Sequence, residues 1–260
     1  MMTATEENTT GEAGLLEISG LSLAVDGGDY FPDSSFFLRH NRGYLITGPD
    51  EEANIELLNI LGGIYAPLPP LSSRCYRCPR VLFRGIDLYD GSERELKEAR
   101  KYIAFVFRDG TMISNLNIKE NLLLPFQYHF PAKEFSNALE KIETDFKFFG
   151  IPAILDKRPD LVSYGIKKKL AFIRAALQEP DVLLVEKPMF NLDEEDRDQV
   201  VLYLEHLKKT GTSLVIASRS QAVLDSLIDE AILLEKGKGP AFITRDHPDF
   251  ARLSRFIFLR

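Results

Sequence analysis

Tyr44-Leu45-Ile46-Thr47 reads as a buried strand, Gly48-Pro49 as a turn, and Asn54 to Ile64 as a helix with apolar residues at Ile55, Leu57, Leu58, Ile60 and Leu61. Strand, glycine turn and helix N-terminus form the skeleton on which α/β folds bind phosphate, because free backbone N–H groups and the helix dipole face the anion. Here Asp50, Glu51, Glu52 and Glu56 put four carboxylates into that turn and the first helical turn. Carboxylates at a helix N-terminus satisfy the dipole that a phosphate would otherwise use. A second cluster is Cys75 and Cys78, a C-x-x-C inside a Pro- and Ser-rich loop over residues 66–80. It supplies half of a tetrahedral zinc site, so unmodified thiols, zinc completed across a dimer and a redox pair all stay open. His40, His129, His206 and His247 show no ligand spacing, and no Ser-His-Asp set is evident. Lys167-Lys168-Lys169, the strongest basic run, reads as a solvated helix face, with contact to a partner or lipid headgroups as the alternative.

These residues need a scaffold, and the remaining pattern supplies one. Residues 15–47 are strand-like, broken at Asp26-Gly27-Gly28-Asp29 and Asn41-Arg42-Gly43. Helical segments dominate from about 92 to 178, interrupted by a strand at Tyr102–Phe107. Val182–Val185 and Ser213–Ala217 are strongly apolar strands flanking an amphipathic helix from Glu194 to Lys209. Ala231–Leu234 and Ala241–Thr244 read as closing strands and Pro248 to Phe258 as a terminal helix. The alternation predicts an α/β fold with a mainly parallel, helix-covered sheet and an all-helical insertion. With 260 residues, a net charge of −7, 45% hydrophobic and 27% charged residues, the composition excludes a disordered or collagen-like chain. Net acidity argues against nucleic acid as a partner. No apolar run approaches the roughly 18–20 residues that span a bilayer. The acidic, polar start MMTATEENTTGEAG lacks signal-peptide features, and two cysteines fit a reducing cytosol.

The order of these segments resembles the ATP-binding subunit of ABC transporters over nearly the whole chain, with a P-loop NTPase-like core. Residues 44–64 stand where that family has its Walker A loop. Phe105-Val106-Phe107-Arg108 followed by Asn115–Asn121 is similar to its Q-loop region, and Val162-Ser163-Tyr164-Gly165-Ile166 to its signature motif. Val182–Pro188 is similar to Walker B, Asn191-Leu192-Asp193 to the D-loop, and Ala217-Ser218-Arg219-Ser220 to the switch-histidine segment. Within the family, residues 107–116 and the stretch from Asp246-His247-Pro248 to Phe256 most resemble the lipid-asymmetry, phospholipid-trafficking ATPases. The resemblance implies a tail over 1–13, a core over 14–90 and 179–245 with N-terminal antiparallel strands, a Q-loop strand and helical subdomain over 91–178, and a C-terminal helix over 246–260.

Against the family's G-x-x-x-x-G-K-[ST], the loop runs Gly48-Pro49-Asp50-Glu51-Glu52-Ala53-Asn54-Ile55. The first glycine is kept, Asn54 replaces the lysine that reaches the β/γ oxygens, and Ile55 replaces the hydroxyl that binds Mg²⁺. Glu186 stands for the Walker B aspartate, and Lys187, unable to act as a general base at neutral pH, for the catalytic glutamate. Arg219, always charged, stands for the switch histidine, and Arg108 for the Q-loop glutamine. Val25 stands where an aromatic would stack on adenine, with Tyr30 as a substitute. Ser163 and Gly165 of the signature remain beside Tyr164 and Ile166, so Gly48, Ser163 and Gly165 are the residual cofactor-binding candidates. The loop loses its cation and carries anions instead, while lost neutral or anionic groups elsewhere become cations. This sign pattern predicts that Lys187, and with it Arg219, pairs with Asp50, Glu51 or Glu52, solvated charges in an open cleft being the alternative.

The resemblance then implies a non-catalytic, pseudo-ATPase subunit with no cofactor of its own, ATP/Mg entering only through a partner subunit. Its implied partners are an ABC-type permease and a second ABC subunit, as homodimer or heterodimer, on the cytoplasmic inner face of the cell membrane. The alternatives are an ATPase subunit completed by an intact partner and a stand-alone regulatory module. Phe126, Tyr128, Phe130, Phe135, Phe146, Phe148 and Phe149 cluster in the helical insertion and are expected mostly in the core, any exposed ones marking a partner surface.

Overall fold

The structure, a computed structural model, describes residues 14–25, 28–64, 80–131 and 135–257. Cys75, Cys78 and the segment 1–13 lie outside the described residues. In chain order the strands are Leu16–Val25 (β1), Gly28–Leu38 (β2), Gly43–Thr47 (β3), Arg80–Phe83 (β4), Ile86–Asp87 (β5), Ile103–Val106 (β6), Val182–Glu186 (β7), Ser213–Ala217 (β8), Glu230–Glu235 (β9) and Lys238–Thr244 (β10). The α-helices are Glu51–Leu61 (α1), Glu93–Ala99 (α2), Ile118–His129 (α3), Phe135–Phe148 (α4), Tyr164–Ala176 (α5), Glu194–Lys209 (α6) and Gln221–Leu227 (α7).

Two sheets carry the fold. An antiparallel sheet has the order β2-β1-β4-β5, and a second has the order β10-β9-β3-β8-β7-β6, parallel throughout except for β10. The apolar runs explain why the parallel strands lie at the centre: a strand buried on both faces needs no polar side. Tyr44 and Ile46 of β3, Val182 and Leu184 of β7, and Val215 and Ala217 of β8 pack beneath α1 and the antiparallel sheet. Their alternates Leu45, Leu183, Val185, Leu214 and Ile216 pack against α3 to α7.

Local signals set the helix ends. Asn117 and Glu120 form a capping box at α3, and Asp193 caps α6 by accepting the Asp196 N–H at 2.8 Å. Three acidic residues open α6, and His206, Lys208 and Lys209 close it, matching the dipole at both ends. The helix expected at the C-terminus is a 3₁₀ helix over Phe250–Phe256. Its N–H groups bond three residues back, as from Arg252 to Asp249, and Phe250, Leu253 and Phe256 recur at the three-residue spacing that turns one edge of such a helix to the core.

Where α6 packs against the helical insertion, the Tyr203 hydroxyl of α6 donates to the Asp145 carboxylate of α4 at 2.9 Å, with both side chains buried. Desolvation pushes Asp145 above the ordinary aspartate range, against the opposing pull of Lys141, the Tyr203 hydrogen bond and His206. Phe148 and Phe149 stack around the same tyrosine with ring centroids at 5.5 and 4.7 Å. The aromatic cluster is less interior than expected. Phe126, Phe146 and Phe149 are buried, whereas Tyr128, Phe135 and Phe148 are exposed, because they fall on the outward stripes of α3 and α4. Tyr203→Phe leaves a buried carboxylate one donor short and is expected to cost about 1–3 kcal/mol of stability, measured by urea denaturation.

Candidate functional site

Parallel registry decides what meets. Ile46 of β3 lies opposite Ala217 of β8, Glu186 of β7 opposite the same Ala217, and Val106 of β6 opposite Val185. The residues that follow each strand, Gly48, Ser218 and Arg219, Lys187, and Phe107 and Arg108, therefore gather at the carboxyl end of the sheet, where open α/β folds place their ligands.

The loop after β3 is closed by its own side chain. Asp50 is the N-cap of α1, and its Oδ1 accepts the N–H groups of Glu52 at 2.9 Å and Ala53 at 3.2 Å. Its other oxygen accepts the Tyr30 hydroxyl at 2.6 Å. Desolvation acts to raise the Asp50 pKa, but the bonds from Tyr30, Ala53 and Glu52 and the charge of Arg219 outweigh it and hold the carboxyl below its usual range. Tyr30 is buried with its hydroxyl committed to Asp50, so the structure does not offer it as a face for an adenine ring.

The predicted charge inversion takes a specific form. Lys187 leaves β7 with a left-handed φ of 43° and reaches α1, where its ammonium pairs with the Glu51 carboxylate. Arg219 instead donates to the carbonyls of Gly48, at 2.9 Å, and Pro49. It thus reaches the loop through backbone carbonyls, close enough for its charge to act on Asp50. Asn54 is buried beneath the loop, and its amide donates to the Gly48 carbonyl at 3.4 Å. A cavity of about 20 Å³ remains among Glu51, Asn54, Ile55, Lys187, Ala217, Ser218 and Arg219, about the size of one water molecule.

The three residual cofactor candidates each have a local structural task. A Cβ on Gly48 would run into the Leu234 carbonyl of β9, so glycine is required there by strand packing. At Gly165 a Cβ would meet the Asp196 carboxylate, a side-chain end that can turn aside, so the demand for glycine is weaker there. The Ser163 hydroxyl accepts the Ile166 N–H at 3.3 Å as the cap of α5.

Glu186 ends β7 half-buried, with Oε2 3.4 Å from the Arg108 N–H. The Arg108 guanidinium turns away, onto Asp109 and over the Phe190 ring at 5.0 Å. The reading of Lys167–Lys169 as a solvated face is corrected. Lys168 is fully buried, and Lys169, only 6% exposed, pairs with Asp196 of α6. Sequence carried the signal: positions 168 and 169 share a stripe with Phe172, Ile173 and Ala176, the core-facing side of α5. The role of Tyr30 had no such signal, since β2 brings it to Asp50 from 20 residues away. Among the described residues no group of three or more His, Cys, Asp or Glu is arranged to hold a metal.

Two outcomes test this geometry. Gly48→Ala is expected to lose more than about 2 kcal/mol of stability by denaturant melting with no nucleotide present, since the clash is with backbone. A Lys187→Met and Glu51→Gln double-mutant cycle is expected to give a coupling of about 0.5–1 kcal/mol at low salt, shrinking in 1 M salt as the pair is part-exposed.

Comparison with known proteins fits this architecture. ModC, a molybdenum import ATP-binding protein of Mesorhizobium japonicum, is 27% identical over 223 residues, covering 84% of this chain and 57% of that protein. An uncharacterized ABC transporter ATP-binding protein of Thermotoga maritima is 26% identical over 217 residues, covering 83% and 82%. The chain spans only about half the length of the ModC relatives it matches, between 39% and 57%. Among solved structures, an ATP-binding subunit of an ABC transporter superposes with a TM-score of 0.72 at 18% identity, covering 93% of this chain and 94% of that one. A dimeric ATP-binding cassette bound to ADP and Pi gives the same TM-score at 18% identity, covering 88% and 98%. Residues 56–189, just over half of the chain, match the model of the ABC transporter family, and with the sheet order and helical insertion described above the chain belongs to that family as an ATP-binding-subunit domain.

Proposed function

We propose that this chain is a non-catalytic ABC subunit that dimerises and scaffolds a membrane permease, in a lipid-trafficking system. One observation carries the reading: the Asp50 carboxylate sits on the α1 amides that a phosphate would need. The groups present do not fit a magnesium triphosphate. No lysine or hydroxyl stands at Asn54 and Ile55. A phosphate oxygen about 6 Å from each loop carboxylate would meet repulsion on the order of 2–3 kcal/mol per pair at an effective dielectric near 20. The groups of the hydrolytic step are equally unsuited. Lys187 is bound to Glu51 and carries no basic lone pair while protonated, and Arg219 is bound to the loop carbonyls. The alternative of completing a partner's site is disfavoured by Tyr164, whose bulky ring stands between Ser163 and Gly165 where backbone would approach a phosphate.

For the scaffolding role, Leu124 and Tyr128 lie one turn apart on α3, 41% and 61% exposed, and offer an apolar face in the helical insertion to a permease segment. Among the described residues no helix is long and apolar enough to cross a membrane, so attachment to the inner membrane face would pass through such a partner. The cargo reading is supported by residues 107–116 and 246–256. A relative 29% identical over 145 residues, LolD of Syntrophus aciditrophicus, is named for a lipoprotein-releasing system.

Equilibrium dialysis of the full chain against Mg-ATP is expected to show no saturation up to millimolar nucleotide, and Asn54→Lys alone is expected not to change that. Saturable binding at micromolar ATP by the unmodified chain would overturn the non-catalytic reading; in the variant, it would overturn the charge argument.

A further inference from the structure

Lys168 does work that the nucleotide question leaves untouched. It is a lysine with no solvent exposure, carried on the inner stripe of α5. Its ammonium donates to the carbonyls of Phe107 at 2.9 Å and Arg108 at 2.7 Å, with the Glu186 carbonyl at 3.4 Å. Two of these carbonyls belong to the segment leaving β6 for the helical insertion, and the third ends β7. One side chain therefore joins the insertion, the connecting segment and the sheet. The Arg108 carbonyl accepts a second donor from the same helix, the Tyr164 hydroxyl at 2.8 Å.

Isolated lysine ammoniums are rarely buried, because desolvation disfavours the charge. Here burial pushes the Lys168 pKa down to about 8, against the pull of Glu186 and Asp109 and with the push of Arg108. Carbonyl oxygens at the carboxyl ends of two strands compensate with oriented dipoles. The backbone is shaped to permit the contact. Gly110 has a φ of 58°, and a Cβ there would lie 3.1 Å from the Lys167 carbonyl and the Lys168 Cα. The far end of the segment is held as firmly. Asn121, fully buried on α3, accepts the Ile113 N–H at 2.7 Å and donates to the carbonyls of Ile113, Leu116 and Asn117.

We propose that Lys168 is a latch that fixes the 107–117 segment to α5 and to β7, so that the helical insertion and the sheet behave as one body without any ligand. A subunit with this latch presents a fixed surface to whatever binds the insertion, and a load applied there passes to the sheet through side-chain contacts already made. The inference concerns motion and holds whether or not nucleotide binds.

Amide hydrogen exchange of the full chain, read by mass spectrometry, tests it with Lys168→Gln, Tyr164→Phe and, as a control for general loss of stability, Val215→Ala in β8. The expected result is exchange at least ten-fold faster in peptides spanning 107–117 in Lys168→Gln, with β3 and β8 peptides unchanged. Tyr164→Phe, which leaves the ammonium in place, is expected to give a several-fold increase in the same peptides. If Lys168→Gln accelerates all peptides in parallel, as the control does, or leaves 107–117 unchanged, the latch is refuted and Lys168 is only a core residue. Where Lys168→Gln yields no folded protein, Lys168→Met, which keeps an unbranched stem and removes the ammonium, decides: acceleration confined to 107–117 supports the latch, and none refutes it.

Discussion

The first backbone N–H groups of a helix must be satisfied by something, and at α1 the partner is Asp50. From that one requirement most of the site follows. A carboxylate on the Glu52 and Ala53 amides needs its second oxygen occupied, and β2 brings Tyr30 to it. A negative loop draws cations from the neighbouring strand ends, so Lys187 crosses to Glu51 and Arg219 to the loop carbonyls. The arrangement is self-consistent because the loop's carboxylates and carbonyls meet donors and cations supplied by the same chain.

A bound anion and an internal carboxylate solve the same problem at a helix N-terminus, but with different consequences. An exchangeable ligand makes the state of the loop depend on concentration, whereas a covalently attached one makes it permanent. The strong local hydrogen bonds at Asp50 and the buried Lys168 both belong to the second kind. Both are made within the chain and are present at any ligand concentration.

Much of this was legible in sequence where a rule acts over a few residues. The apolar strands at 182–185 and 213–217, the helix over 194–209 and the glycine turn at 48 could be read from period and punctuation alone. The charge inversion between the loop and Lys187 or Arg219 was legible as a sign pattern, but not its pairing, since which carboxylate Lys187 reaches depends on how β7 and α1 are placed in the fold. Lys168 was misjudged because three successive lysines look solvated until helical phase is applied to them. The terminal helix was placed correctly along the chain but assigned the wrong winding, as a three-residue apolar spacing and an α-helical one differ little over seven residues.

Gly48 and Gly165 lead to a different point. Each stands where the family keeps a glycine, and Gly48 is required here by the backbone carbonyl of Leu234, whereas Gly165 faces the Asp196 carboxylate, the end of a side chain that can turn aside. Packing alone can therefore fix a glycine of a ligand motif, whatever the loop binds. The lysine and hydroxyl positions behind it answer to no such steric demand, so they carry the information about a ligand that the glycine does not.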